Sequence, residues 1–560
     1  MEQKNLLIAI ALSFLIFLGW SALFAPKPVV NQDQAVQSGE NAGNATQTSE
    51  AEKSGKPARP EQAPAEAAPL VDTSKQGAQI STPSKTLTVD TPLYTMVVSE
   101  QGAAITSMKI KKYRETVDPN SPPKQVIPSE LAGGSVLLSS SGALAKTLES
   151  SRYTMDLDKA SVTVDKAPLH VSFHTVLENG LQVEKTFTFS PDTYLVHQDI
   201  TLYNGGDKPF DEKIAFVLRQ IISGGGSRYG FEGPSGLIDN HLQQLQIKKI
   251  TESKPISGNV QWLALETRYF MSSLVATEPL KGEMVTEKTD DVIQNKLVIE
   301  DGVLGSHERE KAAIDIYIGP KELTELRKLN NGLDRAIQFG WFDFIAKPCL
   351  WFMNFIYSII PNYGVAIIIL TIITRMLFWP LATKSYKSMS EMRKIQPLMQ
   401  EIREKYKDDK TKMNQEMMSL YKTYKINPVG GCLPMLIQLP VFFALYRMLY
   451  QVIELRHAPF ILWINDLSAP DRLLHFDFKI PFMEPPYGIP MLTLIMGATS
   501  LLQQKMTPTP GDPTQAKMMM FMPVFLTVIF INFSSGLVLY WLVSNILSIA
   551  QQYYTQKKMA

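Results

Sequence analysis

Hydrophobic and polar positions follow three different rhythms along the chain. Residues 6–24 form an uncharged apolar run, at about 19 residues long enough to cross a bilayer. Its distal end holds Trp20, Leu23 and Phe24 rather than small residues, so an uncleaved anchor is favoured over a signal peptide. From about Leu87 apolar and polar residues alternate, as in LTVDTPLYTMVVS, YTMDLDKASVTVD and LHVSFHTVLENGLQVEKTFTF. Alternation puts every second side chain on one face and predicts strands with one buried face. Asn179-Gly180 predicts a hairpin with a type I′ turn. Asn204-Gly205-Gly206 and SGGGS at Ser223 mark further turns, and strand-like runs continue to DIYIG at Asp315. Mostly antiparallel β-structure over about 230 residues, a large β-sandwich, is expected. A short helix at 321–329 closes it.

After Gly340 the apolar blocks reach membrane length. Residues 341–360 mix aromatics with Asp343, Lys347 and Pro348, which predicts an amphipathic helix lying in the interface. Five spans follow, at 363–383, 432–452, 489–504, 518–533 and 536–554. Pro523 interrupts the fourth, and the last two are joined by a tight turn. The fold class is therefore multi-domain: a β-sandwich beside a polytopic α-helical membrane core of five spans, plus the N-terminal anchor. The divisions are 1–25 anchor, 26–86 tether, 87–335 β-domain, 336–362 interfacial helix and 363–560 core.

Composition changes the picture in three places. Residues 27–90 contain no aromatic residue and are rich in Ala, Gln, Glu, Ser, Pro and Gly. Such a segment cannot bury enough apolar surface to offset its ordering entropy, so a disordered tether is expected. Loop charge sets orientation: residues 384–425 hold 11 Lys/Arg against 6 Asp/Glu, and residues 453–488 hold 3 against 5. A Lys/Arg excess marks the cytoplasmic side. With the anchor, six spans place both termini inside and the β-domain outside, in a bacterial periplasm. Net charge is +1 over 560 residues, which gives no argument for nucleic-acid recognition. Two cysteines, Cys349 and Cys432, are too few for a disulfide framework.

Candidate chemistry is sparse. His170, His174 and His197 lie in strand-like runs, where ordinary strand residues are the simpler reading. No phosphate loop, CxxC, HExxH or GxSxG occurs, so neither an enzyme nor a bound metal or cofactor is expected. The cytoplasmic loop is more informative. Met389, Met392, Ile395, Met399, Ile402 and Tyr406 recur at helical spacing, and Met413, Met417, Leu420 and Tyr424 repeat it. Two amphipathic helices in a hairpin are expected, the first bent at Gln396-Pro397. The methionine faces suit varied apolar partners, and they also suit each other.

Arg375 breaks the apolar stretch AIIILTIITRMLFWPLA. A charge there costs from about 3 to over 10 kcal/mol and usually finds a carboxylate. The five predicted spans contain no Asp or Glu. Water or polar side chains must then solvate it: Thr371, Thr374, Gln438, Gln503, Gln504, Asn532, Ser544 and Asn545 are the candidates. They predict a wet, inward-open groove, since Arg375 lies roughly 12 Å above Thr383 along a helix. Snorkelling to the cytoplasmic surface is the alternative. A groove of this kind suits a polypeptide whose polar stretch shelters there while its apolar stretch slides into lipid. A transporter and an envelope scaffold are the rival classes; five spans with no internal repeat argue against the first.

Several long segments resemble the YidC family of bacterial membrane protein insertases. They are NPVGGCLPMLIQLPVFFALYRML from Asn427, the Arg375 span ending FWPLATKSY, ELRHAPFILWINDLSA from Glu454, FMPVF at Phe521 and SSGLVLYWLVSN at Ser534. The resemblance covers essentially the whole chain. It implies the Gram-negative form, with a β-supersandwich like that of sugar mutarotases. It also implies a groove arginine at Arg375, substrate contacts near Thr371 and at Tyr540-Trp541, and a polar lining that includes Gln438. Implied partners are nascent membrane proteins such as small ATP synthase subunits, the Sec translocon, the ribosome and the lipid bilayer.

Overall fold

The computed structural model describes residues 84–221, 230–252, 254–300, 303–424, 433–507 and 513–559. The anchor at 6–24, nearly all of the tether, SGGGS and Cys432 lie outside the described residues.

Alternation translates directly into the β-domain. Strand Leu181–Phe189 buries Leu181, Val183, Lys185, Phe187 and Phe189 and turns the residues between them outward. It pairs with Leu169–Val176 on one side and Leu195–Asn204 on the other, both antiparallel. These strands belong to a twelve-stranded sheet, which stands beside a five-stranded one. The helix expected at 321–329 is present at Leu323–Lys328. Strand Phe270–Thr289 serves both halves of the large sheet: its first part pairs with Arg309–Pro320 and its second with Val292–Ile299. The hairpin at Asn179-Gly180 departs from the expected turn. Leu177 N–H donates to the Leu181 carbonyl and Gly180 N–H to the Leu177 carbonyl, and Gly180 alone is left-handed, at φ +85°. A three-residue turn closed by a glycine results, not a two-residue type I′ turn.

Among the described residues, eight helices build the C-terminal region: α1 Asp343–Ile359, α2 Tyr363–Lys394, α3 Gln396–Lys405, α4 Lys410–Thr423, α5 Leu433–Gln451, α6 Met491–Met506, α7 Pro513–Phe530 and α8 Ser535–Met559. Asn362 caps α2 by accepting from Val365 N–H at 3.1 Å. Among the described residues, α2 alone is long and apolar enough to cross a bilayer by length and composition; Lys517–Phe530 is a shorter apolar segment. Helix α1 buries Ala346, Leu350, Met353 and Ile356 and exposes Phe344, Trp351, Phe355 and Ile359, the two-faced pattern expected of 341–360.

Gln396-Pro397 does more than bend the first hairpin arm. Helix α2 ends at Lys394 and α3 restarts with Pro397 in its first turn, where a missing N–H costs nothing. Ile395 and Met399 are buried against Met392, Met417, Leu420 and Tyr421. Much of the methionine face is thus used internally, while Met418 stays exposed.

The β-domain bears on the helices through charged side chains. Arg268 donates from Nε and Nη2 to the Tyr450 carbonyl at 2.8 and 2.6 Å and lies 3.7 Å over the Tyr450 ring. That carbonyl belongs to the last turn of α5, which lacks helical donors and carries partial negative charge. Arg456, just beyond α5, donates to the Arg114 carbonyl at 2.7 Å. Between them Glu454 accepts from Asn354 Nδ2 at 3.3 Å. Burial pushes its carboxyl up to about 7, against the pull of that hydrogen bond. A folded-state value above the unfolded one favours the protonated, folded form. This stabilisation is full below about pH 4.5, declines as pH rises to about 7 and is flat beyond. Denaturant midpoints in detergent should fall across that window, and Glu454→Gln should remove the decline, gaining about 3 kcal/mol at pH 8. Parallel pH profiles for the two proteins would refute this.

Candidate functional site

Helices α2 and α8 pack along their length, and their shared seam is polar where lipid-like apolarity would be expected. Arg375 is half-buried on α2. Its Nε donates to Ser544 Oγ on α8 at 2.8 Å, and its Nη2 donates to the same oxygen. Gln438 Nε2 on α5 reaches that oxygen at 3.5 Å and the side chain is hydrogen-bonded to Tyr540. Three helices therefore converge on one hydroxyl. Among the described residues Arg375 has no ion pair. A serine oxygen can accept from the guanidinium but cannot neutralise it, and the fork has five N–H donors to satisfy.

The polar surface continues beyond Ser544. Tyr540, Ser544, Ser548, Gln551 and Thr555 are all buried on α8, at steps of four, four, three and four residues. Such spacing keeps them on one helix face. Ser548 is hydrogen-bonded to Tyr386 of α2. Gln551 Nε2 donates to the Trp379 carbonyl at 2.9 Å and to Thr383 Oγ1 at 3.1 Å. The seam thus runs from Arg375 toward the hairpin end of α2. A second polar face of α8 serves α6: Asn545 Nδ2 donates to Ser500 Oγ at 2.7 Å and Gln552 Nε2 to the Met506 carbonyl at 2.9 Å.

Sequence candidates divide accordingly. Arg375, Ser544, Gln438 and Tyr540 come together. Thr371 is fully buried one turn before Arg375, but its hydroxyl donates to the Ile367 carbonyl of its own helix at 2.6 Å. Trp541 stands in an aromatic cluster, 4.9 Å from Phe442 and 4.8 Å from Phe530 by ring centroids. Asn545 belongs to the α6 face. Asn532 lies elsewhere, donating to the Phe482 carbonyl at 2.8 Å. In the hairpin, Met392, Met399 and Met417 share one cluster, and Met389 and Met413 are half-buried. Tyr386, Ser548, Gln551 and Thr555 were missed. On α8 their signal is present in the sequence: Ser548, Gln551 and Thr555 continue the helical spacing of Tyr540 and Ser544.

The β-domain histidines do not converge. His170 Nδ1 lies 2.9 Å from Thr188 Oγ1, His174 is exposed, and His197 sits between Asp315 and Asp199 at 2.7 and 3.3 Å. Burial is the largest single influence on His197 and lowers its value, but Asp315 and Asp199 together outweigh it and raise the value on balance. Among the described residues no three His, Cys, Asp or Glu side chains are grouped to hold a metal ion.

Comparison with known proteins accounts for both halves. Residues 86–352 match the family model described as YidC periplasmic domain, and residues 355–560 match that of the 60Kd inner membrane protein. Membrane protein insertase YidC of Syntrophobacter fumaroxidans is 41% identical over 479 residues, 84% of this chain and 86% of the relative. That of Syntrophus aciditrophicus is 38% identical over 568 residues, 99% and 100% of the two chains. These relatives are named as insertases, a class that is not enzymatic. Similarity that runs unbroken through the strand-rich and the helical regions means that this chain belongs to the YidC family of inner membrane insertases.

Proposed function

We propose that the protein inserts nascent membrane proteins by sheltering their hydrophilic stretches along the Arg375 seam while their apolar segments pass into lipid. The observation that carries this reading is a guanidinium held in an apolar helix by a neutral hydroxyl. A carboxylate partner would fix the charge in place. A hydroxyl leaves it free to attract acidic residues of an entering chain. The buried polar residues below it extend the seam toward the hairpin, so the groove opens on that side. Its lining comprises Arg375, Gln438, Tyr540 and Ser544, with Thr371 and Trp541 on its flanks.

The topology proposed has six spans, both termini cytoplasmic, the basic hairpin inside and the β-domain in the periplasm. The hairpin receives apolar segments through exposed Met418 and half-buried Met389 and Met413. The partners in this reading are ribosome-bound nascent membrane proteins, small ATP synthase subunits among them, and the Sec translocon. Reconstitution of the purified chain in liposomes with a one-span substrate, read by protease protection, tests the activity directly. Ion conductance without insertion would favour a channel.

Two variants test the parts. In a partly desolvated site, an ion pair between Arg375 and a substrate carboxylate contributes about 1–3 kcal/mol. Arg375→Lys should retain much insertion, Arg375→Ala should impair substrates with acidic translocated segments most, and Arg375→Glu should be worse for those. If all three impair acidic and neutralised substrates equally, the arginine is structural.

Deleting residues 396–423 removes α3, α4 and the turn between them while leaving α2 and α5 intact. Insertion should be abolished with the remaining helices still folded, as judged by circular dichroism. Full complementation of a depletion strain by the deletion would reduce the hairpin to a spacer.

A further inference from the structure

The segment between α5 and α6 lies at the end of the core where α2 begins, away from the hairpin. Asn362, the cap of α2, donates to the Phe460 carbonyl at 3.1 Å. The segment is firmly seated on the helix ends. Asp471 accepts from Trp463 Nε1 and from Leu492 N–H, both at 2.5 Å. Arg472 donates to the Pro486 and Ile531 carbonyls, each at 2.8 Å.

On this fixed platform the apolar side chains point outward. Leu462, Leu474 and Phe482 are 80%, 63% and 84% exposed, and Ile461 and Phe478 accompany them. All three of the first group have left-handed backbones, with φ of +56°, +58° and +62°. Among the described residues they are the only large apolar residues in that region of φ; the others are Asp, Asn, His and one Ala. A left-handed residue with a Cβ costs about 1–2 kcal/mol, and glycine or asparagine would avoid most of it. In water the sequence would thus bear two penalties at each position, one for backbone and one for exposed apolar surface. Both hydrocarbon exposure and retention of bulky side chains make sense if the surroundings are lipid.

The flanking surface has the same character. Helix α1, which reaches Glu454 through Asn354 and stacks Tyr357 on Tyr363 at 3.9 Å, exposes Phe344, Trp351, Phe355 and Ile359. Helix α7 exposes Phe521, Val524, Phe525 and Val528, continuing the apolar surface along the core. Asp477, Lys479 and Glu484, also exposed, supply charges able to stay among headgroups.

We propose that residues 456–487 form a lipid-inserted element whose partner is the acyl-chain boundary of the leaflet opposite the hairpin. Leu462, Leu474 and Phe482 are its anchors, inserted ~5–10 Å as interfacial apolar faces are. Assigning that leaflet to the periplasmic side rests on the topology proposed above; the lipid contact does not.

The test uses the full chain with both cysteines replaced by alanine, in phosphatidylethanolamine–phosphatidylglycerol vesicles without other proteins. An environment-sensitive fluorophore is attached at Leu462→Cys, Leu474→Cys or Phe482→Cys, with Glu178→Cys on the exposed β-turn as the aqueous reference. The three loop labels should be quenched by lipids bearing a nitroxide near the headgroup, and about threefold less by iodide than the reference. Iodide quenching equal to that at Glu178 would overturn the proposal, and would be the result if the patch awaited a protein partner. Reporter fusions placing the hairpin outside the cytoplasm would overturn the topology alone; protection from iodide would still support the lipid contact.

Discussion

A guanidinium cannot shed its proton in a protein, so an arginine placed in an apolar helix must be solvated by whatever faces it. Arg375 makes this demand on the whole helical core. Ser544 answers with one oxygen, Gln438 reaches the same atom from a third helix, and the face of α8 below them stays polar as far as Thr555. A helix with such a stripe is less hydrophobic than a simple span, which is why α8, at 25 residues, does not register as a membrane-crossing helix by composition while α2 does. Polarity on α8 and apolarity on α2 are two sides of one requirement. The charge sits half-buried on an apolar helix, and its protein-side solvation comes from the neighbour.

At the other end of the core the β-domain is fastened by the same kind of interaction. Arg268 places its donors on a carbonyl of the last turn of α5, where the backbone has acceptors without partners and a negative dipole end. Arg456 returns the gesture, donating from the helical side to a carbonyl of the β-domain. Charge-to-carbonyl contacts need no matched acid, so they can join two domains whose facing surfaces differ in sequence. Glu454 between them is a carboxyl in a place that favours its neutral form, and it makes the junction sensitive to proton concentration.

The division into a strand-rich part and a helical C-terminal part was legible because it rests on periodicity. Strand alternation gave the sandwich, and the amphipathic pattern at 341–360 gave α1. Turn chemistry was legible only in kind: Asn179-Gly180 does form a hairpin turn, but only Gly180 takes a left-handed backbone. Proline's effect at 397 was underestimated, since a ring in a first turn permits a full restart where one in mid-helix would bend. For the site, Arg375 was visible as a lone charge, and Ser544, Gln438 and Tyr540 as polar residues in apolar blocks. What could not be read was pairing between helices. Thr371 satisfies itself on its own backbone, whereas Ser548 and Gln551 face α2; spacing along one helix does not say which neighbour a face meets. The seats of Arg268 and Arg456, about 180 and 340 residues from their acceptors in sequence, had no local signal at all.

Local rules are broken at three kinds of position here, and the difference between them separates structure from function. Lys185 lies on the buried face of a strand, which is costly, yet its Nζ donates to the Gly102 carbonyl at 2.6 Å and lies 4.8 Å over the Tyr153 ring. Burial also lowers its value to about 7, so the lysine can be neutral as well as paired. Its cost is answered inside the β-domain, and nothing outside is implied. Arg375 has no such exit, because it stays charged and its protein acceptor is a neutral hydroxyl. Leu462, Leu474 and Phe482 have none either, because among the described residues nothing covers them and the left-handed backbone is not their own preference. Violations that the fold compensates belong to its architecture. Those left uncompensated among the described residues mark the places where the proposed client groove and the proposed lipid contact lie.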